Sequence, residues 1–254
     1  MIEKSVKFLI EDFGPFRKAE FELRPLTLIV GRNTVGKSML IYLLWSFIGS
    51  LPDFGYLFEY ANKRGATELA KEILELIKEG KAPKDQLLKL LKLHIEGLPQ
   101  ALAIYLSEIL EDVFGTPLAE LIRKGSNDSR IRVESSKFTL ECVLRSSGVD
   151  VRFLNIDMEF LNNLEIEVLK PGYLRTIDLR SGKIIVEESI GSIRDIANIV
   201  MKHLADYMIH TLNPISIGDE LAALLADSRA GITKTLLKPY LDPVSYTHLT
   251  LPTN

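Results

Sequence analysis

Alternation of apolar and polar residues predicts a pair of short strands at the start of the chain. Residues 6–10 form an apolar run, and residues 19–23 alternate Phe and Leu with Glu, which is the two-residue period of a half-buried strand. The sequence Phe-Gly-Pro-Phe at 13–16 is a turn signal between the two runs. A third apolar run, Leu-Thr-Leu-Ile-Val at 26–30, follows a proline. We therefore expect an antiparallel pair that leads into a third strand.

Apolar residues recur at helical spacing after this third run. The run 39–47 suits a buried helix, because it is apolar on nearly all sides. Four more segments have an apolar stripe at helical spacing: 68–78, 86–95, 101–114 and 118–122. Near the end of the chain, 192–212 has the same periodicity, and Ser192 is a suitable N-cap.

Between these helices, six short apolar runs are separated by glycine, proline and serine turns. They cover 131–134, 138–144, 149–153, 164–169, 173–179 and 184–187. Short runs with regular turn signals are typical of consecutive antiparallel strands. We expect a β meander, with Cys142 as a small buried or half-buried residue of one strand.

Composition limits the class of protein. Hydrophobic residues make up 46% of the 254 residues, which is enough for a sizeable core in one large or two smaller domains. The formal net charge of −3 gives no support for nucleic-acid binding, although a local basic patch would suffice. A single cysteine excludes an internal disulfide and fits a reducing cytoplasm. The longest apolar run is too short to span a bilayer, so we expect no membrane partner.

The segment 31–38 reads Gly-Arg-Asn-Thr-Val-Gly-Lys-Ser, a full match to the P-loop or Walker A motif G-x-x-x-x-G-K-[ST]. The context that the motif needs is also present, since a strand-like run precedes it and a helical run follows. Glycines allow the backbone N–H groups to approach phosphate, and the following helix directs its positive end to the same anion. The predicted nucleotide-binding residues are Gly31, Arg32, Asn33, Thr34, Val35, Gly36, Lys37 and Ser38. Lys37 should contact the β- and γ-phosphates, and the Ser38 hydroxyl should hold Mg²⁺.

The first 50 residues carry a family resemblance. The turn at 13–16, the strand at 21–30 and the motif with its Asn33 resemble the N-terminus of ABC-type ATPases of the SMC/RecF/OLD-like group, many of which are described as AAA domain proteins. The resemblance implies an α/β P-loop NTPase that binds ATP and Mg²⁺ and whose heads close in pairs over two nucleotides. A DNA or protein partner is compatible with it but not indicated by any residue.

The resemblance also suggests roles for residues outside the motif. An early aromatic side chain stacks on adenine in this group, so Phe13 and Phe16 are candidates, with core or turn packing as the alternative. A glutamine that senses the γ-phosphate could be Gln86 or Gln100. The element Ser-Arg-Ala-Gly-Ile at 228–232 resembles one found in the group. Its Arg229 has two open interpretations, contact with phosphate or a partner head and ordinary capping or ion pairing.

Several parts needed for hydrolysis are missing from the sequence. The nearest candidate for a Walker B strand, 215–220 with Asp219 and Glu220, is interrupted by Ser and Gly. There is no L-S-G-G-x signature and no guanine-reading N-K-x-D motif. The segment 242–254 changes abruptly to a Thr/Ser/Pro-rich composition and resembles non-native read-through. We therefore expect a fragment of an ATPase head that binds Mg-ATP and hydrolyses it slowly, with unknown catalytic residues.

These observations give a provisional division of the chain. We expect a nucleotide-binding β/α core at 1–50, a helical insertion at 51–125, a β meander at 126–190, a helical segment returning to the head at 191–241, and the foreign-looking tail. Two other functions remain open, a nucleotide-gated interaction module without turnover and a P-loop phosphotransferase.

Two sets of polar residues could carry chemistry elsewhere. Asp157 with Glu159, and Glu165 with Glu167, are each two residues apart and could form a metal or acid–base couple. We interpret them instead as the polar face of half-buried strands. His203 and His210 lack a metal-binding spacing, and we expect both to be hydrogen-bonded helix histidines.

Overall fold

The computed structural model describes residues 6–24, 27, 29–30, 32, 35–48, 54–208 and 211, which form a mixed α/β structure with antiparallel sheets. The strands are β1 (Val6–Phe13), β2 (Phe16–Leu23), β3 (Ser129–Glu134), β4 (Phe138–Arg145), β5 (Gly148–Ile156), β6 (Leu164–Lys170), β7 (Tyr173–Asp178) and β8 (Lys183–Ser189). The helices are α1 (Lys37–Ile48), α2 (Phe54–Asn62), α3 (Ala66–Lys78), α4 (Lys84–Ile95), α5 (Leu98–Phe114), α6 (Leu118–Leu121), α7 (Glu159–Asn162) and α8 (Ile193–Tyr207). None of the described helices is both long and apolar enough to cross a bilayer.

The predicted entry pair is confirmed, and it joins strands from much later in the chain. β1 pairs antiparallel with β2 and also with β3, so the first sheet has the order β2-β1-β3-β4-β5. One face of this sheet is apolar because every second residue points to it. The other face carries charges of both signs, including an ion pair of Lys7 with Glu20 at 2.7 Å and one between Arg145 and Asp150.

The six predicted later strands are present, but the single meander is wrong. Only β3, β4 and β5 continue the first sheet, whereas β6, β7 and β8 form a separate three-stranded sheet. The short helix α7 lies between the two groups, and its Phe160 and Leu161 are buried. These two side chains pack in a different apolar cluster from β3, β4 and β5. The chain therefore leaves the first sheet before β6 begins.

Two apolar clusters stabilise the structure. The first, here called the sheet core, consists of Val6, Phe8, Ile10, Phe13, Leu23, Leu43, Leu44, Leu106, Leu110, Leu118, Leu121, Ile131, Val133, Phe138, Leu140, Cys142, Leu144, Val149 and Val151. The second, here called the helical core, consists of Leu57, Ala61, Ala66, Ala70, Ile73, Ile77, Leu87, Leu90, Leu91, Ile95, Leu98, Ala101, Phe160, Leu161, Leu164, Ile166, Leu174, Val186, Ile190, Ile196, Ile199, Val200, Leu204, Tyr207 and Met208. Helix α5 belongs to both, since its N-terminal half packs in the helical core and its C-terminal half in the sheet core.

The predicted helix near residue 200 begins where its cap indicates. The Ser192 hydroxyl accepts a hydrogen bond from the Asp195 N–H, and the Asp195 carboxylate accepts one from the Ser192 N–H at 2.8 Å. This reciprocal arrangement is a capping box. Hydrogen bonds from the Gly191 N–H, the Ser192 hydroxyl and the Ser192 N–H lower the pKa of the Asp195 carboxyl. Cys142 is also as expected, fully buried in β4.

Candidate phosphate-binding site

The loop-to-helix part of the predicted motif is confirmed. Helix α1 begins at Lys37, directly after Gly36, and the Leu40 N–H donates to the Gly36 carbonyl at 3.0 Å. Gly36 has a φ of 94°, which glycine adopts without the steric cost that a Cβ brings. The motif therefore ends in the tight turn that its second glycine predicts.

The predicted strand before the loop is wrong at the residues of this segment that the structure describes. Residues 27, 29 and 30 are not in a strand, and Val30 is 86% exposed. A strand needs a hydrogen-bonded neighbour, and among the described residues no strand pairs with this segment. The apolar character of Ile29 and Val30 thus does not by itself place them in a strand.

The Lys37 side chain folds back toward Arg32. Its ammonium group donates a hydrogen bond to the carbonyl of Arg32 at 2.7 Å. Arg32, Val35 and Ser38 are exposed, whereas Gly36 and Lys37 are half-buried. The first turn of α1 contains no acidic residue, so no carboxylate there offsets the positive end of the helix dipole. Gly31, Asn33 and Thr34 lie outside the described residues.

The turn between β1 and β2 packs against this loop. A Cβ on Gly36 would lie 2.5 Å from the Phe16 ring and 2.8 Å from the Pro15 ring, and one on Gly14 would overlap the Met39 side chain. Of the two predicted adenine-stacking candidates, Phe13 is fully buried and cannot reach a ligand. Phe16 is half-buried beside Gly36. The contacts of Pro15 and Met39 at this site were not predicted from the sequence. Only the turn signal at 13–16 indicated that this region has a special conformation.

This arrangement offers donors for an anionic group. A phosphate near the start of α1 would meet the Lys37 ammonium group, the Ser38 hydroxyl and backbone N–H groups that have no partner within the helix. Oxygen ligands suit Mg²⁺, and Ser38 could supply one. No group of three or more His, Cys, Asp or Glu side chains that could hold a metal ion occurs in the part of the chain that the structure describes.

Other predicted phosphate contacts receive no support. The Gln86 amide donates to the Glu72 carboxylate at 3.0 Å and so joins α4 to α3. Gln100 is exposed on α5. Asp219, Glu220, Arg229 and the tail from 242 lie outside the described residues.

The interpretation as polar strand faces is confirmed for Glu165 and Glu167, which lie in β6, and is wrong for Asp157 and Glu159, because Asp157 follows β5 and Glu159 begins α7. The Asp157 carboxylate accepts the Glu159 N–H at 2.7 Å, and Glu159 lies 3.7 Å from the Arg180 guanidinium. Glu167 faces Arg175 across the second sheet at 3.8 Å.

The expectation for His203 is wrong. This side chain is fully buried, and neither ring nitrogen has a hydrogen-bond partner among the described residues. Burial lowers its pKa to about 4, partly opposed by the nearby Asp206 carboxylate. His94 was not singled out from the sequence, yet it is also buried, and desolvation lowers its pKa. His210 lies outside the described residues.

A comparison of the chain with protein-family models, with curated proteins and with solved structures finds no match in any of the three.

Proposed function

We propose that residues 31–38 bind the phosphates of Mg-ATP, and that the chain is the ATP-binding part of an ATPase head of the ABC/SMC/RecF/OLD-like class. The observation that carries this proposal is the position of Lys37. Lys37 is the first residue of α1 and follows a glycine with positive φ. Its ammonium group points back along the chain and donates a hydrogen bond to the Arg32 carbonyl at 2.7 Å. A full sequence motif and this geometry support the same site.

The chemistry of the site follows from its donors. Lys37 exchanges its bond with the Arg32 carbonyl for bonds to phosphate oxygens, which are stronger because both groups are charged. The N–H groups at the start of α1 hold the same anion. Bound Mg²⁺ would neutralise charge on the phosphates, with Ser38 as its ligand from this chain. Phe16, beside the loop, is the remaining candidate to contact the adenine base.

Slow turnover is part of the proposal. Phosphoryl transfer needs a carboxylate as a further ligand of the metal, beside Ser38, and a group that orients water. No group of three or more His, Cys, Asp or Glu side chains that could hold a metal ion occurs among the described residues, and the sequence offers only the weak candidates Asp219 and Glu220. The resemblance of residues 13–38 further supports pairing of two heads. The single, buried Cys142 suits a reducing cytoplasm.

A titration of Mg-ATP against Lys37→Ala tests this function. Loss of a charged hydrogen-bond donor costs about 1.5–3 kcal/mol, so the variant should bind at least about tenfold more weakly. Lys84→Ala is a matched control, because Lys84 is the first residue of α4 but is followed by the acidic Asp85. Phosphate release by the parent chain should stay near background. Equal ATP affinity in parent and Lys37→Ala would overturn the site, and rapid release abolished by Asp219→Ala would show that the hydrolytic parts are complete.

A further inference from the structure

The turn between β1 and β2, residues 12–16, has an unusual backbone. Asp12 has a φ of 52° and Gly14 has a φ of 50°. Asp12 is the only residue other than glycine with a positive φ in the part of the chain that the structure describes. Such a conformation persists when surrounding contacts enforce it, and it is enriched at sites that bind or switch.

On one side, this turn touches the proposed phosphate site. The Pro15 and Phe16 rings leave no room for a Cβ on Gly36, and the Met39 side chain occupies the space beside Gly14. Met39 lies in the first turn of α1, two residues after Lys37. A shift of the loop or of the start of α1 must therefore move these side chains.

On the other side, the same turn is hydrogen-bonded to the end of the helical insertion. The Gly14 N–H donates to the Leu121 carbonyl at 2.7 Å, and the Arg123 N–H donates to the Asp12 carbonyl at 2.8 Å. Phe13 and Ile122 form a β-bridge between these two bonds. The turn is thus fixed by its backbone to the residues that follow α6.

Aromatic rings make a second connection between the same parts. The buried Phe13 ring meets Phe114, the last residue of α5, edge to face at 5.7 Å. The Phe114 ring also meets Tyr42 of α1 edge to face at 5.9 Å. The end of α5 therefore contacts both the turn and the helix that begins at Lys37.

We infer, on the basis of the proposed nucleotide site, that the β1–β2 turn couples phosphate binding at the loop to the end of the helical insertion, residues 114–123. Phosphate binding at the loop restricts the motion of Gly36, which packs against Pro15 and Phe16. It also restricts Met39, whose side chain packs against Gly14. The hydrogen bonds of Gly14 and Arg123 then open less often. The coupling is reciprocal, because an effect of one site on another requires an equal effect in return.

Residue-resolved hydrogen exchange on the full chain tests this inference, with and without a saturating nonhydrolysable Mg-ATP analogue. Exchange of the Gly14 and Arg123 amides should slow severalfold on binding. The Val149 amide, which donates to the Ser107 hydroxyl at 3.2 Å, should be unchanged. In Pro15→Ala, which removes the ring that lies beside Gly36, the ligand should still bind, but the effect at Arg123 should shrink. Binding without any change at Arg123 in the parent chain would overturn the coupling alone, whereas absence of binding would overturn the nucleotide site as well.

The reciprocal measurement uses a residue that does not belong to the loop. Phe114→Leu should weaken Mg-ATP binding about fivefold, the lower end of typical coupling. Phe153→Leu is the control, because Phe153 is also half-buried and meets Phe138 edge to face at 6.2 Å, but it lies on β5 at the opposite edge of the sheet from β2. Equal ATP affinity in Phe114→Leu and the parent, with both folded, would contradict the coupling.

Discussion

The sheet core and the helical core differ in their buried histidines, since His94 and His203 both lie on helices of the helical core. In the sheet core region, the buried Ser46 and Ser129 hydroxyls donate to backbone carbonyls at 3.0 and 2.9 Å. In the helical core, His203 and the Thr176 hydroxyl are buried without a partner among the described residues, and the His94 Nε2 atom is likewise unpaired. A buried polar group without a hydrogen bond reduces stability.

This difference indicates which part of the molecule responds to acid. A charged histidine in an apolar core is unfavourable, so protonation opposes folding of the helical core. The only cysteine of the sheet core is inert in this respect, because burial raises the pKa of the Cys142 thiol. The proposed phosphate site begins on α1, whose buried Leu43 and Leu44 belong to the sheet core. We therefore expect mild acidification to destabilise the helical core more than the proposed phosphate site.

The largest effect should come from the sheet core itself. Phe8 is 1% exposed and packs between Phe21 and Phe47. Phe8→Ala should lower the free energy of unfolding by about 3–5 kcal/mol, because it leaves a cavity and removes apolar contacts. Denaturant unfolding followed by circular dichroism measures this. Phe21→Ala, at a half-buried position on the edge strand, should cost clearly less, and equal losses would show that the stacked pair is not buried as described.

Acid should act on the helical core. The pKa of His203 is about 4 in the folded chain and about 6.5 unfolded, so the unfolded chain binds more protons between these values. Stability therefore falls as the pH drops through this window and does not fall further from this group below about 4. Between pH 7 and 5 the loss should be about 2 kcal/mol.

His203→Leu isolates this contribution. The variant removes the titrating group and should flatten the pH dependence of urea unfolding between pH 7 and 5, where few carboxyls titrate. Desolvation also lowers the pKa of His94, so a smaller slope of the same sign should remain. An unchanged slope in His203→Leu would contradict the assignment of acid sensitivity to this side chain.

A smaller effect is expected at the start of α8, which lies in the helical core. Ser192→Ala removes the hydroxyl half of the capping box and should cost about 1 kcal/mol of unfolding free energy. The same denaturant experiment measures it. Ser189→Ala, just upstream, is a suitable control, since its hydroxyl makes one 3.4 Å bond to the Gly172 carbonyl, whereas the Ser192 hydroxyl also donates to the Asp195 carboxylate at 2.9 Å. Equal losses in the two variants would mean that the cap contributes nothing.

Local features of the molecule could be predicted from the sequence because they depend on nearby residues. The short apolar runs between turn signals predicted the later strands, and Ser192 as N-cap predicted the start of α8. Helix α2 was not distinguished because its aromatic residues do not form a clear stripe; only Leu57 and Ala61 are buried. Gly36 and Lys37 adopt the turn and helix start that the motif requires.

Long-range pairings could not be predicted in the same way. The pairing of β1 with β3, which brings Ile10 opposite Ile131, depends on partners far apart in the chain, and strand periodicity does not specify a partner. The same reason explains why residues 27, 29 and 30 are not in a strand despite their apolar neighbourhood. Likewise, whether a helix histidine is hydrogen-bonded depends on the residues that pack against it from other elements. The lack of a hydrogen bond at His203 could therefore be seen only in the tertiary structure.

Two of the described helices begin with lysine, and their comparison allows the most direct test of the nucleotide site. Helix α1 begins with Lys37 after a positive-φ glycine, and α4 begins with Lys84 after Pro83. Addition of Mg-ATP to isotope-labelled full chain should shift the backbone amide resonances of Gly36, Lys37 and Ser38 strongly. Those of Lys84 and Asp85 should stay in place. Absence of shifts at 36–38, or equal shifts at both helix starts, would contradict nucleotide binding at this loop.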